Sequence, residues 1–319
     1  MDLRSIRYFV QIADLGSISR AADHLGVAQP ALSRHVKGIE DELGMPLLVR
    51  LPRGVRLTAP GRQFLEHCRR ILRELARARE ELRTDDRAPR GKAILGVSPT
   101  IGSLLVPGII DRVRRQSPDV SIKVVEAFSP QLYDALLAGK VDVAVLTNPA
   151  PSRSLKYSPL VSEPLVVLTP PQQRGTHRYY TLAELARTPV IITSGIRTVI
   201  EEQIGRHGGR LNVEAEVDAV EAIRGMLLRG IGTTVMPVST FHDDIRAGRI
   251  AAFPITDASL HRILVLAHLA EGGMSAAAEE VSQLLAAEVD ALRERGVFNV
   301  AAAPAEDFPE KPAVNRRRK

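Results

Sequence analysis

The sequence predicts an α/β protein in three parts: a small N-terminal unit of short helices with a wing, one long linker helix, and a larger α/β unit of two halves. Three observations predict it. Apolar residues recur at helical spacing over residues 3–43, in short runs separated by glycines. From residue 59 an apolar seam continues with no breaker after Gly61. Beyond residue 92, β-rich runs alternate with helical ones. The 319 residues, 25% charged and 45% apolar, have ordinary globular composition, which excludes disorder along the whole chain. The expected boundaries are 1–58, 59–91, 92–295 and a tail, 296–319.

Charge separates these parts. Residues 1–92 hold 18 Lys and Arg against 12 Asp and Glu, whereas residues 93–315 hold 21 against 25. A basic unit followed by a mildly acidic one points to a polyanionic partner for the first and another task for the second, with a solvated basic face as the plain alternative. No apolar run approaches the ~18–20 residues of a membrane helix, and the charged N-terminus lacks the apolar core of a secretory signal. The expected location is the cytoplasm, with no membrane partner. The single cysteine, Cys68, can form neither an intrachain disulfide nor a zinc site, as expected in a reducing compartment.

In the N-terminal unit, Leu3, Ile6, Phe9, Val10 and Ala13 share one helical face. Ser17 stands as an N-cap for a helix over 18–25, Gly26-Val27 closes it, and Gln29-Pro30 opens another running to about Leu43-Gly44. Two short helices about a Gly-containing turn make a helix-turn-helix. Leu25, Val27, Leu32, Val36 and Ile39 supply the inner face, and Gln29, Pro30, Ser33, Arg34 and Lys37 fall at the start of the second helix or on its outer face. In the major groove such a helix presents its first residues to base edges: Gln pairs with adenine, Arg with guanine, Ser or Lys with phosphate or base. Residues 47–50 and 55–58 read as strands flanking a turn, a wing whose Arg50, Arg53 and Arg56 would meet the DNA backbone or minor groove and contribute affinity more than sequence reading.

The run SISRAADHLGVAQPALSRHVKGIEDELGMPLLVRLPRGVRLTAPG, residues 17–61, resembles the winged helix-turn-helix of LysR-type transcriptional regulators. The likeness is carried by Ala21-Ala22, Leu25, Gln29-Pro30-Ala31, Leu32-Ser33, Glu40, Leu43-Gly44, Pro46-Leu47, Arg50 and Leu57-Thr58. Two positions depart from the pattern: Ala28 stands where a hydroxyl residue often caps the recognition helix, and Leu48 where Phe is usual.

From 59 to about 87, Phe64, Cys68, Ile71, Leu75, Ala78 and Leu82 are spaced as a heptad seam. Twenty-nine helical residues would span ~43 Å, too long for a small domain to cover. A second copy of the chain would cover the seam and present two recognition helices to a pseudo-palindrome; packing on the chain's own C-terminal domain is the alternative. The resemblance implies dimerisation through this helix, with Phe64, Cys68, Ile71, Leu75 and Leu82 as contact residues, and a homodimer or homotetramer.

In the larger unit, strands at 93–97, 121–127 and 141–146 alternate with helices at 103–116 and 131–138, the opening of a parallel sheet. A second set has strands at 165–169, 190–193, 213–218 and 234–236, with helices near 182–186, from 198 and over 219–229. Strands at 250–254 and 263–267 precede a closing helix at about 275–292. Two such halves imply a ligand cleft at strand carboxyl ends. The runs LLAGKVDVAVL (136–146) and GIGTTVMP (230–237) resemble the LysR-type effector domain, built like a periplasmic binding protein, so the resemblance spans about 1–295. The opening residues and the first of these runs are also similar to the nitrogen-assimilation-control branch. Candidate effector residues are Ser98, Thr100, Ser129, Thr147, Thr193 and Ser194, at helix starts and strand ends, where hydroxyls and backbone N–H groups favour an anion or carboxylate; plain N-caps and turn residues are the competing reading. The resemblance adds weight to Ser98, Thr100 and Thr193. Arg197 reads equally as a ligand contact or a surface ion pair.

No nucleophile elbow, zinc-protease or phosphate-loop motif is present, and the eight histidines are scattered. No catalytic residue, metal site or cofactor is expected. The resulting expectation is a dimeric LysR-type regulator reading promoter DNA, with RNA polymerase as a further candidate partner and a small effector altering DNA geometry. A DNA-binding regulator without an effector, controlled by abundance or a protein partner, is the alternative, and a ligand-binding protein with a vestigial helix-turn-helix is disfavoured by the charge segregation.

Overall fold

The computed structural model describes residues 1–81, 89–173, 178–205 and 209–299. They form two compact units: Met1–Val161 with Ile263–Ala291, and Ser162–Arg262 with the described residues from Leu292 onward. The expected tail beyond residue 299 lies outside the described residues.

The first unit opens with helices α1 (Leu3–Leu15), α2 (Ile18–Leu25) and α3 (Gln29–Leu43), then strands β1 (Leu48–Leu51) and β2 (Gly54–Leu57), then α4 (Ala59–Glu81). Asp2 caps α1 by accepting the Ser5 N–H at 2.7 Å, and Ser17 caps α2 by accepting the Arg20 N–H at 3.3 Å. The N-cap of α3 is Ala28, which has no side chain to offer; Pro30 in the first turn removes one of the orphan donors instead. Gly26, at φ +65°, ends α2 and turns the chain into α3. Ile12, Ile18, Ala21, Ala22, Leu32 and Val36 form one core; Ile6, Phe9, Ile39, Leu47, Leu65 and Cys68 form another. Leu48 packs against both, so an aliphatic side chain fills the place where Phe is usual.

The wing is an antiparallel hairpin pairing Leu48 with Leu57 and Leu51 with Gly54. Gly54 has φ +98°, and a Cβ there would overlap the Gly16 carbonyl oxygen, so only glycine fits. The neighbouring Val55 N–H donates to that same carbonyl at 2.9 Å, fixing the wing to the α1–α2 turn.

Beyond α4 the chain continues through β3 (Gly91–Val97), α5 (Pro99–Gln116), β4 (Val120–Glu126), α6 (Ser129–Leu137), β5 (Val143–Thr147) and β6 (Leu155–Thr169). It then runs through α7 (Leu182–Leu185), β7 (Pro189–Ile192), α8 (Ser194–Ile204), β8 (Asn212–Glu216), α9 (Val220–Leu228), β9 (Thr234–Pro237), α10 (His242–Arg246), β10 (Ala251–Phe253), β11 (His261–Leu269) and α11 (Ala276–Glu294). In the first unit β3 lies parallel to β4 and to β5, and β11 is antiparallel to β5. In the second, β9 and β10 both pair antiparallel with the end of β6, and β7 pairs parallel with β8. Each unit has its own core, one around Leu132, Leu136, Ala144 and Leu146, the other around Val166, Leu168, Val190, Ile200 and Val235.

Several details depart from the sequence expectations; helix α5, for one, begins at Pro99 and not 103. Strand β6 begins at Leu155 rather than near 165; Pro159 and Pro164 within it remove backbone donors and disguise it as loop. Helix α8 begins at Ser194, not 198, because Thr193 supplies the cap. The cap residue of α6 is Phe128, so Ser129 is the first helical residue and not the N-cap.

Candidate nucleic-acid interface and ligand site

Helix α3 divides cleanly. Leu32, Val36 and Ile39 are buried, while Gln29, Pro30, Arg34 and Lys37 are exposed and Ser33 is half-buried on the outer face. The four-residue steps 29, 33 and 37, and 30 and 34, set these groups in adjacent rows on the solvent side. Arg50, Arg53 and Arg56 on the wing are also exposed, with Arg53 in the turn between β1 and β2. Among the described residues no ion pair engages Arg34, Lys37, Arg50, Arg53 or Arg56. These cations sit on one small domain without an ion-pair partner among the described residues, which is the arrangement a polyanion neutralises.

The helix and wing are joined by Glu40, whose Oε1 accepts the N–H groups of Leu47 at 2.7 Å and Leu48 at 3.0 Å. Thr58 completes the frame: its hydroxyl donates to the Pro46 carbonyl at 2.8 Å and accepts the Gly61 N–H at 2.9 Å, fixing the start of α4.

The seam residues of α4 have unequal surroundings. Cys68 is fully buried among Ile6, Phe9 and Ile39, and Phe64 lies 5.1 Å from Phe9, ring centre to ring centre. Cys68 belongs to the core of its own domain, which corrects its assignment to an intermolecular seam: α1 and α3 already cover it, whereas Phe64 packs against that core with part of its surface left open. Ile71 is exposed at 42% and Leu75 is half-buried, so this core leaves part of the stripe open there. Leu82 lies outside the described residues.

The hydroxyl residues expected at the ligand site fall into three groups. Ser98 and Thr100 are buried at the start of α5, with their hydroxyls 3.2 Å apart, and Ser98 makes no side-chain cap bond. Ser129 and Thr147 meet directly, since the Thr147 N–H donates to Ser129 Oγ at 2.8 Å. In the second unit, Thr193 is buried and accepts the Ile196 N–H at 3.3 Å, while the Ser194 N–H and hydroxyl both donate to Asp218 Oδ1 at 2.8 Å. Arg197 pairs with Glu201 at 2.8 Å and Glu216 at 3.0 Å, and hydrogen bonds to these carboxylates raise its pKa. The surface ion pair accounts for Arg197.

Sequence reasoning passed over one buried network. Arg262 and Glu163 are wholly buried, joined by Nε–Oε1 at 2.7 Å, with Arg262 also donating to Ser239 Oγ at 3.2 Å and the Ser239 N–H donating to Glu163 at 3.3 Å. The signal was strand alternation: 262 and 264 face inward while Ile263 is 50% exposed.

Residues 3–62 match the family model described as bacterial regulatory helix-turn-helix protein, lysR family, and residues 86–290 match the LysR substrate binding domain. The nitrogen assimilation regulatory protein nac of Klebsiella aerogenes is 30% identical over 289 residues, 89% of this chain and 94% of that protein. The regulator BbuR of Bordetella bronchiseptica is 29% identical over 93% of this chain and 92% of its own length. Among solved structures, a full-length OxyR variant from Pseudomonas aeruginosa aligns with a TM-score of 0.71 at 26% identity, covering 91% of this chain and 94% of that one. CbnR in complex with its target DNA shares the fold, with a TM-score of 0.54 at 21% identity, covering 91% and 100%. The chain belongs to the LysR family. It is a DNA-binding transcriptional regulator with a substrate-binding domain, and its relatives are regulators rather than enzymes.

Proposed function

We propose that the exposed face of α3 reads operator DNA through Gln29, Ser33, Arg34 and Lys37, with Pro30 shaping the helix start and Arg50 and Arg53 holding the phosphate backbone or minor groove. The observation that carries this is the placement of unpaired cations and amide and hydroxyl donors outside a helix whose inner face is sealed by Leu32, Val36 and Ile39. Two chains pair through the open face of α4, where Ile71 and Leu75 lie, so that two recognition helices meet two half-sites. The promoter is the partner, and the resulting DNA geometry governs access of RNA polymerase. The site of action is the cytoplasm, where promoter DNA lies. Among the described residues, no helix is long and apolar enough to cross a membrane.

The substrate-binding domain senses a small anionic effector. Ser98 and Thr100, buried at the start of α5 with no cap bond from Ser98, support this reading most, followed by Ser129 and Thr147. Thr193 and Ser194, at the start of α8, are the candidates in the second unit. A ligand that prefers one arrangement of the paired chains shifts the population towards it and so changes DNA bending.

A thermal-shift screen of the full chain against small carboxylates, amino acids, aromatic acids and inorganic anions tests the effector reading. A concentration-dependent rise in Tm, lost in Ser98→Ala and Thr100→Ala, supports it. A rise that survives both substitutions places the ligand elsewhere in the chain, and none across the panel leaves regulation to abundance or a protein partner.

A further inference from the structure

Helix α4 has two faces. On one, Phe64, Leu65, Cys68 and Leu72 pack on the helix-turn-helix core. Ile71 and Leu75 continue that stripe further along the helix, with Ile71 exposed and Leu75 half-buried. The other face carries Arg70, Arg73 and Glu74, spaced i, i+3 and i+4, and all three reach the α/β part of the same compact unit. Arg70 pairs with Glu271 at 3.5 Å, and Glu74 Oε2 lies 3.8 Å from where a Cβ on Gly272 would stand.

Arg73 makes the closest approach. Its guanidinium lies over Gly139, in the turn between α6 and β5, so tightly that a Cβ on Gly139 would overlap Nη1. Gly139 has φ +63°, a conformation glycine adopts freely, and its bare Cα leaves the space that Arg73 fills. Beside it, Asp142 is fastened to the neighbouring strand: its carboxylate accepts the Ile94 N–H at 2.8 Å, and its own N–H donates to the Ile94 carbonyl at 2.9 Å. Burial lowers the Arg73 pKa and raises that of Asp142, while each charge opposes the shift of the other.

The contact is close but incompletely satisfied. Arg73 Nη1 is buried and has no hydrogen-bond partner among the described residues. A cavity of about 170 Å³ lined by Arg70, Arg73, Glu74, Asp142, Gly272 and Met274 borders it, so α4 touches this part through few side chains. An unmet buried donor weakens the docked state relative to a solvated one, which suits a joint that opens and closes. The turn that receives Arg73 also ends α6, whose first residue Ser129 holds the Thr147 N–H at the end of β5. One short, hydrogen-bonded segment therefore connects a proposed ligand position to the helix that carries the DNA-binding domain.

We propose that Arg73 is a positioning residue for DNA binding, seating the linker helix on the Gly139 turn of the substrate-binding domain and so fixing the spacing of the paired recognition helices. The proposal rests on the DNA-binding reading, which wild-type binding in the same assay checks separately. Docking pre-orients two helices for two half-sites, so losing it lowers two-site affinity without touching either reading surface.

The test uses the full chain and DNA selected from a random-sequence pool by the wild type, as a complete two-half-site duplex and as a single half-site. Arg73→Ala and Gly139→Ala are each expected to weaken binding to the complete site by fivefold or more, leave half-site affinity within twofold, and show no further loss when combined. Thermal melts confirm that the variants fold, and Arg73→Lys, which keeps the charge without the planar guanidinium, is expected to fall between wild type and Arg73→Ala. Equal losses on both duplexes, additive losses in the double variant, or full two-site affinity in Arg73→Ala would overturn the proposal.

Discussion

Glu40 on the recognition helix accepts the backbone N–H of Leu47 at 2.7 Å, and of Leu48 at 3.0 Å, so one carboxylate fixes the position of the wing relative to the helix. Glu40→Ala leaves both donors without that partner, at a cost of about 1–3 kcal/mol. The expected result is a lower Tm together with weaker operator binding. Glu40→Gln keeps one acceptor oxygen and is expected to lose less in both measurements.

Arg53, in the turn of the wing, is exposed and has no ion-pair partner among the described residues. Arg53→Ala is expected to weaken binding to all duplexes alike. Each lost phosphate contact lowers the slope of log affinity against log salt by about 1. Titrations across a salt series read that slope directly; an unchanged slope would remove Arg53 from the backbone contacts.

Arg262 and Glu163 form a wholly buried pair. Arg262→Ala strands a carboxylate and is expected to destabilise the chain by about 3–5 kcal/mol, whereas replacing both partners with apolar residues of similar volume is expected to cost much less. Denaturant melts of the single and double variants distinguish a costly orphan from a pair whose net contribution is small.

Cys68, buried beneath α1 and α3, has its thiol pKa pushed up to about 12 by loss of solvation. The reactive thiolate then amounts to about one part in ten thousand at pH 8. Iodoacetamide is expected to label the unfolded chain readily and the folded chain hardly at all, and peroxide treatment is expected to leave operator binding unchanged. Rapid labelling of the folded protein would contradict its placement in the core.

The helix-turn-helix was legible because its signals are local. Ser17, Gly26 and Pro30 each act within a turn of their own position, and the apolar period of α3 separates Leu32, Val36 and Ile39 from Gln29, Arg34 and Lys37 without tertiary information. The α4 seam was misread at Cys68 because a heptad spacing reports apolar residues on one side of a helix, not what covers them; here α1 and α3 reach it first. The early part of β6 was missed because its two prolines carry a loop signature, yet the strand persists with those positions lacking donors. Ser129 illustrates the limit at the ligand site. Its place at a helix start was visible, but its partner, Thr147, is eighteen residues away and only the fold brings them together.

The outer face of α3 is the proposed sequence-reading surface. Its most direct test is a titration of wild type and Arg34→Ala, both full chain and at one fixed salt concentration, against the selected operator and against a scrambled duplex. Arg34→Ala is expected to lose about 1–3 kcal/mol of discrimination, roughly five- to 150-fold, while its affinity for scrambled DNA changes little. Equal losses on both duplexes, or undiminished discrimination, would contradict the assignment of this face as the reading surface.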